Sequence, residues 1–279
     1  MRTVDAGAIS SAVERACVEA NRRLPPDVEA ALRKFRDAEP WPPARDALER
    51  IIANFETAGE RALPICQDTG MACVFLEVGR EVHIAGDPYA AVNEGVRRGY
   101  TGGFLRSSVV LDPLERRNSG DNTPALIYTD LVEGDRIRIT VAPKGFGSEN
   151  KSRIAMLKPE EGLAGVIDFV VSVVEAAGAD PCPPIVAGVG LGGSFDRAAL
   201  LAKRALLRPL GKPNADPRYA RLEAELLERI NALGIGPQGF GGMTTCLGVA
   251  VETYATHIAG LPCAVNINCH ASRHAGELI

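Results

Sequence analysis

Residues 183–199 read PPIVAGVGLGGSFDRAA. Ile185 to Val189 form an apolar run with the length and texture of a buried strand. Gly192 and Gly193 interrupt it with a tight turn, and Ser194 stands where a helix wants a side chain to cap its first turn. Strand, glycine turn and helix in that order predict a mixed α/β fold. The same stretch tempts a dinucleotide reading. Its spacing is G-x-G-x-G-G, however, not G-x-G-x-x-G, and no acidic residue follows about twenty positions later at the end of a second strand. Nucleotide binding therefore ranks third among the readings of this chain.

Working outward, residues 5–60 carry helical periodicity, with Ile9, Val13, Ala16 and Cys17 on one face. Prolines open the later helical stretches, as at the start of PPDVEAALRKFRDAE and PARDALERIIANFETAGE. After Pro64 the texture changes. MACVFLEVG and EVHIAG read as strands joined at Gly79 and Arg80, DPYAAVNEGVRRGYTGG as a helix stopped by glycine, and SSVVLDP as a short strand. PALIYTDLVEGDRIRITVAP predicts two strands around a Glu-Gly-Asp turn, residues 159–178 a long helix, and LPCAVNIN an interior strand. The expected organisation is a helical region over 1–60 and an α/β body over 61–279 with glycine-rich loops at strand ends, or one continuous domain.

Bulk properties remove several function classes. The chain has 279 residues and a formal net charge of −4, without the basic footprint that nucleic acid or an anionic membrane surface requires. No window approaches eighteen uncharged apolar residues, and the first twenty residues lack the apolar centre of a secretory signal. Seven cysteines are too few and too scattered for a disulfide scaffold. A cytoplasmic setting is expected, where cysteines act as thiols, metal ligands or nucleophiles.

Polar and special residues concentrate in four segments: ICQDTG, LRSSVVLDPLERRNSGDNTPA, KGFGSENKS, and the tract from GIGPQGFGGMTTC to THIAGLPCAVNINCHASRHA. In KGFGSENKS, Gly145 and Gly147 free the backbone so that amides can face an anion, and Lys144 and Lys151 add charge. A lysine-flanked turn is the plain alternative, and the P-loop spacing is missing. Cys66, Cys182 and Cys269 sit at strand ends beside glycine, proline or polar clusters. Cys17, Cys73, Cys246 and Cys263 lie in apolar surroundings that need no function. Three loop thiols far apart in sequence do not match a zinc ribbon. They would suit an iron–sulfur cluster with three thiolate ligands, which leaves one iron without a protein ligand.

PICQDTG, LERRNSGDNTPA, KGFGSENKS, PPIVAGVGLGG, RALLRP, GIGPQGFGG and THIAGLPCAVNINCHASRH together resemble the α chain of class I fumarate hydratases and L-tartrate dehydratases. The resemblance runs from about residue 60 to 275. It implies a 4Fe-4S cluster held by Cys66, Cys182 and Cys269, with substrate contacts at Gln67, Asp68, Arg106 and Gly147 and catalytic roles for Asp68 and His257. Phe146 and Met243 depart from the family's more usual glycine and lysine. It further implies a hydro-lyase acting on a small 2-hydroxy dicarboxylate, malate/fumarate before tartrate, in an α2β2 assembly whose β subunit supplies the general base.

Each assignment has a plainer alternative. Second to the implied roles, Arg106 reads as a surface arginine, His257 as a hydrogen-bonded core histidine and Asp68 as an Asx-turn. His270, His274, Lys144 and Lys151 stay without assigned roles. The rival reading of the whole chain is a non-catalytic metal- or anion-binding subunit that serves assembly or regulation.

Overall fold

The structure, a computed structural model, describes residues 2–279. Strand β1 (Arg2–Asp5) leads into helices α1 (Ala6–Arg22), α2 (Pro26–Ala38) and α3 (Pro42–Arg61). Asp5 caps α1 by accepting from the Gly7 amide at 2.7 Å. Strands β2 (Met71–Gly79) and β3 (Val82–Ala85) precede α4 (Pro88–Gly102); β4 (Leu126–Val132) and β5 (Ile137–Lys144) then lead to the short helix α5 (Phe146–Glu149). The chain continues through β6 (Arg153–Leu157), α6 (Gly162–Ala177), β7 (Ile185–Gly192), α7 (Phe195–Ala205) and α8 (Pro217–Ala232). It ends with β8 (Cys246–Tyr254), β9 (Leu261–Asn268) and β10 (Ala275–Leu278). The mixed α/β class is as the sequence predicts. Among the described residues no helix is long and apolar enough to cross a membrane.

The chain forms two compact units, Met1–Pro25 with Asn54–Phe146 and Arg273–Ile279, and Pro26–Ala53 with Gly147–Ser272. In the first, a sheet of order β10-β5-β2-β4 places β2 parallel to β4 and antiparallel to β5. The strands on either side of the Glu-Gly-Asp turn are thus separated by β2. β3 leaves its neighbour β2 to pair in parallel with β1. Ile9, Val13 and Cys17 of α1 share a buried core with Val74, Leu76, Ile137, Ile139 and Val141 of the sheet. Gly95 and Gly99 let α4 lie close to α1: a Cβ at Gly95 would stand 2.4 Å from the Ser10 carbonyl, and one at Gly99 2.8 Å from Cys17 Cβ.

SSVVLDP is not a strand. Only Val110 forms a bridge, to Asn118. Side chains capture the neighbouring backbone instead: Asn122 Oδ1 accepts from Ser108 N at 2.8 Å, and Asn118 Nδ2 donates to Ser107 O at 3.0 Å. Asparagine amides imitate peptide groups, so a β-branched run beside them can settle as a loop.

The second unit carries the sheet β6-β9-β7-β8. Every residue of β7 is buried, and it pairs in parallel with β8 and antiparallel with β9. The glycines inside β7 have a steric cause. A Cβ at Gly188 would lie 2.1 Å from the Ala202 carbonyl, and one at Gly190 2.1 Å from that of Ala198, so α7 seats on the strand at backbone range. Val166, Val170 and Val174 of α6 pack with Leu222, Leu226 and Ile230 of α8 and with Ile185 and Val189. Ser194 occupies the cap position of α7 without capping it. Its hydroxyl donates to Asp196 Oδ1 at 2.5 Å and makes no cap bond to the helix backbone.

Candidate functional site

In the first unit, the loop Cys66–Gly70 is held by its own side chains. Asp68 Oδ1 accepts from Gly70 N at 2.9 Å and Oδ2 from Phe146 N at 2.9 Å. The Asx-turn expected as the plain alternative is therefore present, and the second oxygen also ties the KGFGSEN segment to the loop. A Cβ at Gly145 would stand 3.3 Å from Asp68 Oδ2, a tight contact to which the carboxylate would have to give by a few tenths of an ångström. The buried Thr69 hydroxyl accepts from Arg106 N at 2.9 Å and donates to Arg106 O at 3.2 Å. Gln67, Asp68 and Arg106 thus share one corner. The Arg106 side chain is exposed and makes no hydrogen bond or ion pair among the described residues.

Three residues without a sequence-derived role support this corner. Tyr100 donates to Thr69 O at 2.8 Å, and burial pushes its hydroxyl pKa up so that it stays a donor. Asn122, fully buried, donates to Gly70 O at 3.1 Å. Arg273, 5% exposed, donates through Nη2 to the Asp68 carbonyl. Its Nε and Nη1 are buried without a hydrogen-bond partner among the described residues. A buried cation lacking a carboxylate partner raises the local preference for anionic groups. The arginine of SRHA was visible in the sequence. Its burial against a loop some two hundred residues earlier was not.

In the second unit, Cys182 and Cys269 lie at the same end of the sheet. Cys182 stands just before β7, and Cys269 just after β9, where Asn268 faces Val186. The two loops are joined: His270 N donates to Cys182 O at 3.4 Å, and His270 Nδ1 lies 3.0 Å from the same oxygen. Cys182 is exposed and held at φ 55°, a conformation costing a non-glycine residue about 1–2 kcal/mol. Lys151 pairs with Asp180 at the edge of this loop. Glu149 accepts from Lys203 Nζ and from Asn266 Nδ2, each at 2.7 Å, a packing role for the acid of KGFGSEN.

His257 sits elsewhere in this unit, on the exposed turn between β8 and β9. Its Nδ1 accepts from Ala259 N at 3.2 Å, which leaves the neutral ring's proton on Nε2. β8 runs parallel to β7 with Tyr254 opposite Gly192, so the turn leaves the sheet where β7 ends, whereas Cys182 and Cys269 lie where it begins. The eight residues of β7 separate those ends by roughly 23 Å. Gly147 is exposed, and a Cβ there would meet nothing within 4 Å. The chain's own packing does not demand a glycine at that position.

The seven cysteines form no disulfide. Burial pushes the thiols of Cys17, Cys246 and Cys263 up to about 12, so they stay protonated at neutral pH. Cys73 is buried as well, while Cys66 and Cys269 are half-buried and Cys182 exposed. Among the described residues no group of three or more His, Cys, Asp and Glu could hold a metal ion. Cys66 belongs to the first unit, and Cys182 and Cys269 to the second. In donor chemistry the three loop thiols fit an iron–sulfur cluster. They are the least buried sulfurs, and the Cys66 corner contains the orphaned guanidinium nitrogens of Arg273, which favour an anionic group.

Residues 10–277 match the family model described as fumarate hydratase (fumerase). The chain is 42% identical over 274 residues to a putative L(+)-tartrate dehydratase subunit alpha from Methanocaldococcus jannaschii, covering 96% of each sequence. It is 32% identical over 260 residues to L(+)-tartrate dehydratase subunit alpha from Escherichia coli, covering 92% of this chain and 86% of the relative. The Shigella sonnei protein of the same name shows the same figures, 32% over 260 residues.

Proposed function

From the premise that the chain belongs to the fumarate hydratase family, we propose that it is the α subunit of a hydro-lyase for 2-hydroxy dicarboxylic acids. A separate β subunit completes the enzyme in an α2β2 assembly. The observation that carries this reading is the Thr69 clamp, which holds an unpaired, exposed Arg106 beside Gln67 and Asp68. A guanidinium can grip one substrate carboxylate as a fork. Asp68 keeps its acceptors occupied by two amides, which fixes the carboxylate where it can receive a substrate hydroxyl.

Cys66, Cys182 and Cys269 are the thiolates proposed to hold a 4Fe-4S cluster. When bound, the cluster supplies a Lewis-acid iron that shares charge from the departing hydroxyl. Gly147, whose position is open to a ligand, offers backbone amides to a second carboxylate. Asp68 beside Arg106 has both carboxylate oxygens engaged by amides, and the base for the carbon proton is assigned to the β subunit. His257, on the far turn of its unit, is not assigned to the Cys182 end of the sheet.

L(+)-tartrate is the substrate suggested by the relatives' names, and fumarate/malate by the family's description. Anaerobic co-expression with the β subunit and turnover assays on L(+)-tartrate, fumarate and malate test the reading. Dehydration of one of these is expected, with activity lost in Arg106→Ala. An anaerobic complex that turns over none of them contradicts it.

A further inference from the structure

We propose that Gln238 is a positioning residue that sets the orientation of Cys182, acting through the carbonyl of Pro183. The inference rests on the reading of Cys182 and Cys269 as cluster ligands.

Cys182 is followed by two prolines, so the segment has two carbonyls to satisfy and no amide hydrogens on Pro183 or Pro184 with which to join a ladder. Gln238 meets the first of those demands twice. Its backbone N donates to Pro183 O at 2.7 Å, and its side-chain Nε2 donates to the same oxygen at 2.7 Å. The adjacent carbonyl, that of Cys182, is taken by His270. His270 Nδ1 lies 3.0 Å from that carbonyl and 3.2 Å from Gln238 Nε2, so it either donates to the one or accepts from the other, according to the ring tautomer. Cys182 N in turn donates to Ala179 O at 3.0 Å. The peptides on both sides of Cys182 are therefore pinned, which is how a left-handed cysteine can persist.

The loop bearing Gln238 is built to deliver that amide. Gln238 itself has φ 53° and is half-buried. A Cβ at Gly236 would stand 1.6 Å from the Gly241 carbonyl, and one at Gly239 2.6 Å from Ala179 Cβ, so only glycines let the loop fold back and dock on the Cys182 loop. From behind, the buried Glu39 accepts from Met243 N at 2.9 Å and from the Thr244 hydroxyl at 2.8 Å. Trp41 Nε1 donates to Phe240 O at 3.0 Å.

Gln238→Gly removes the amide at a position whose backbone glycine adopts without strain. Gln238→Glu keeps the size and removes the donor. Each variant is compared with wild type as the complex with its partner subunit. Two readouts are taken: iron loss to a chelator, and iodoacetamide labelling of Cys182 relative to Cys66 in the iron-free complex, read peptide by peptide. Both variants are expected to lose iron about tenfold faster, with the Cys182 to Cys66 labelling ratio shifted about threefold or more. Wild-type iron retention and an unchanged ratio in Gln238→Gly would overturn the proposal, as would equal changes at both cysteines, which mark a general packing role. If wild type itself holds no iron, the cluster reading falls, and the labelling ratio still decides whether Gln238 sets Cys182.

Discussion

The Cys66 corner and the Cys182 corner both present a cysteine on a loop before a strand, yet only the first adds side chains of its own to its support. Around Cys66 the loop's own side chains share the holding with distant donors: Asp68 reaches Gly70 and Phe146 and Thr69 grips Arg106, while Tyr100, Asn122 and Arg273 take the loop carbonyls. Around Cys182 no side chain of the Cys182–Pro184 stretch is seen to cap a neighbouring peptide, and residues 55 and 88 positions away reach the carbonyls of Pro183 and Cys182. A loop rich in short polar side chains can help to organise itself. One made of proline and cysteine has to be organised from outside, and that difference decides which residues matter for each.

The largest expected effect tests what the two corners share, an accessible thiol. At pH 8 a thiol with a pKa of about 12 carries about a thousandfold less thiolate than an ordinary exposed one. In the iron-free complex, iodoacetamide should therefore label the accessible Cys66, Cys182 and Cys269 far faster than Cys17, Cys246 and Cys263, as read by peptide mass spectrometry. Comparable labelling of Cys246 would erase the distinction. The same burial carries a stability consequence. The folded-state pKa of these three thiols is raised, so their contribution is complete below the unfolded value of about 8.5 and is lost as pH rises through about 12. Denaturant midpoints should fall above pH 9.

Asp68→Ala should disturb the first corner alone. It leaves the Gly70 and Phe146 amides without their acceptor, at a cost of about 1–3 kcal/mol, and turnover should drop at least about a hundredfold. A variant near wild-type turnover would reduce Asp68 to its turn. Glu39→Ala should act on the second corner's backing. Unfolding free energy should fall by about 3 kcal/mol, because buried donors on Met243 and Thr244 lose their acceptor; chemical denaturation measures it, and a shift below about 0.5 kcal/mol would deny the loop that support. Smallest is an effect outside both corners. Asp216, held down to about 2 chiefly by its bond to Arg218, caps α8. Its contribution is present above the unfolded value of about 3.9 and is lost as pH falls through about 2. Amide exchange in the first turn of α8 should quicken there, and unchanged exchange would remove the cap.

How much of this could be read in advance follows the same division. GVGLGG announced a strand, a turn and a helix because each signal is local, and the glycines of β7 proved to be where α7 touches the strand. Asp68, Thr69 and Arg106 stand in segments whose polar density is visible in sequence. SSVVLDP misled because its β-branched residues say nothing about asparagines ten or more positions on. Gln238 sat in a glycine-rich tract with no hint of Pro183 as its partner. The place of His257 depends on the order β9-β7-β8, which no periodicity encodes.

The central claim is that the three loop sulfurs are iron ligands while the buried four are not. Iron and acid-labile sulfide should be measured on the complex purified without oxygen, for wild type and for Cys66→Ser, Cys182→Ser and Cys269→Ser. About four irons and four sulfides per chain in wild type, lost in each variant, is the expected result. Zinc, no metal, or a Cys182→Ser protein with its full iron would contradict it.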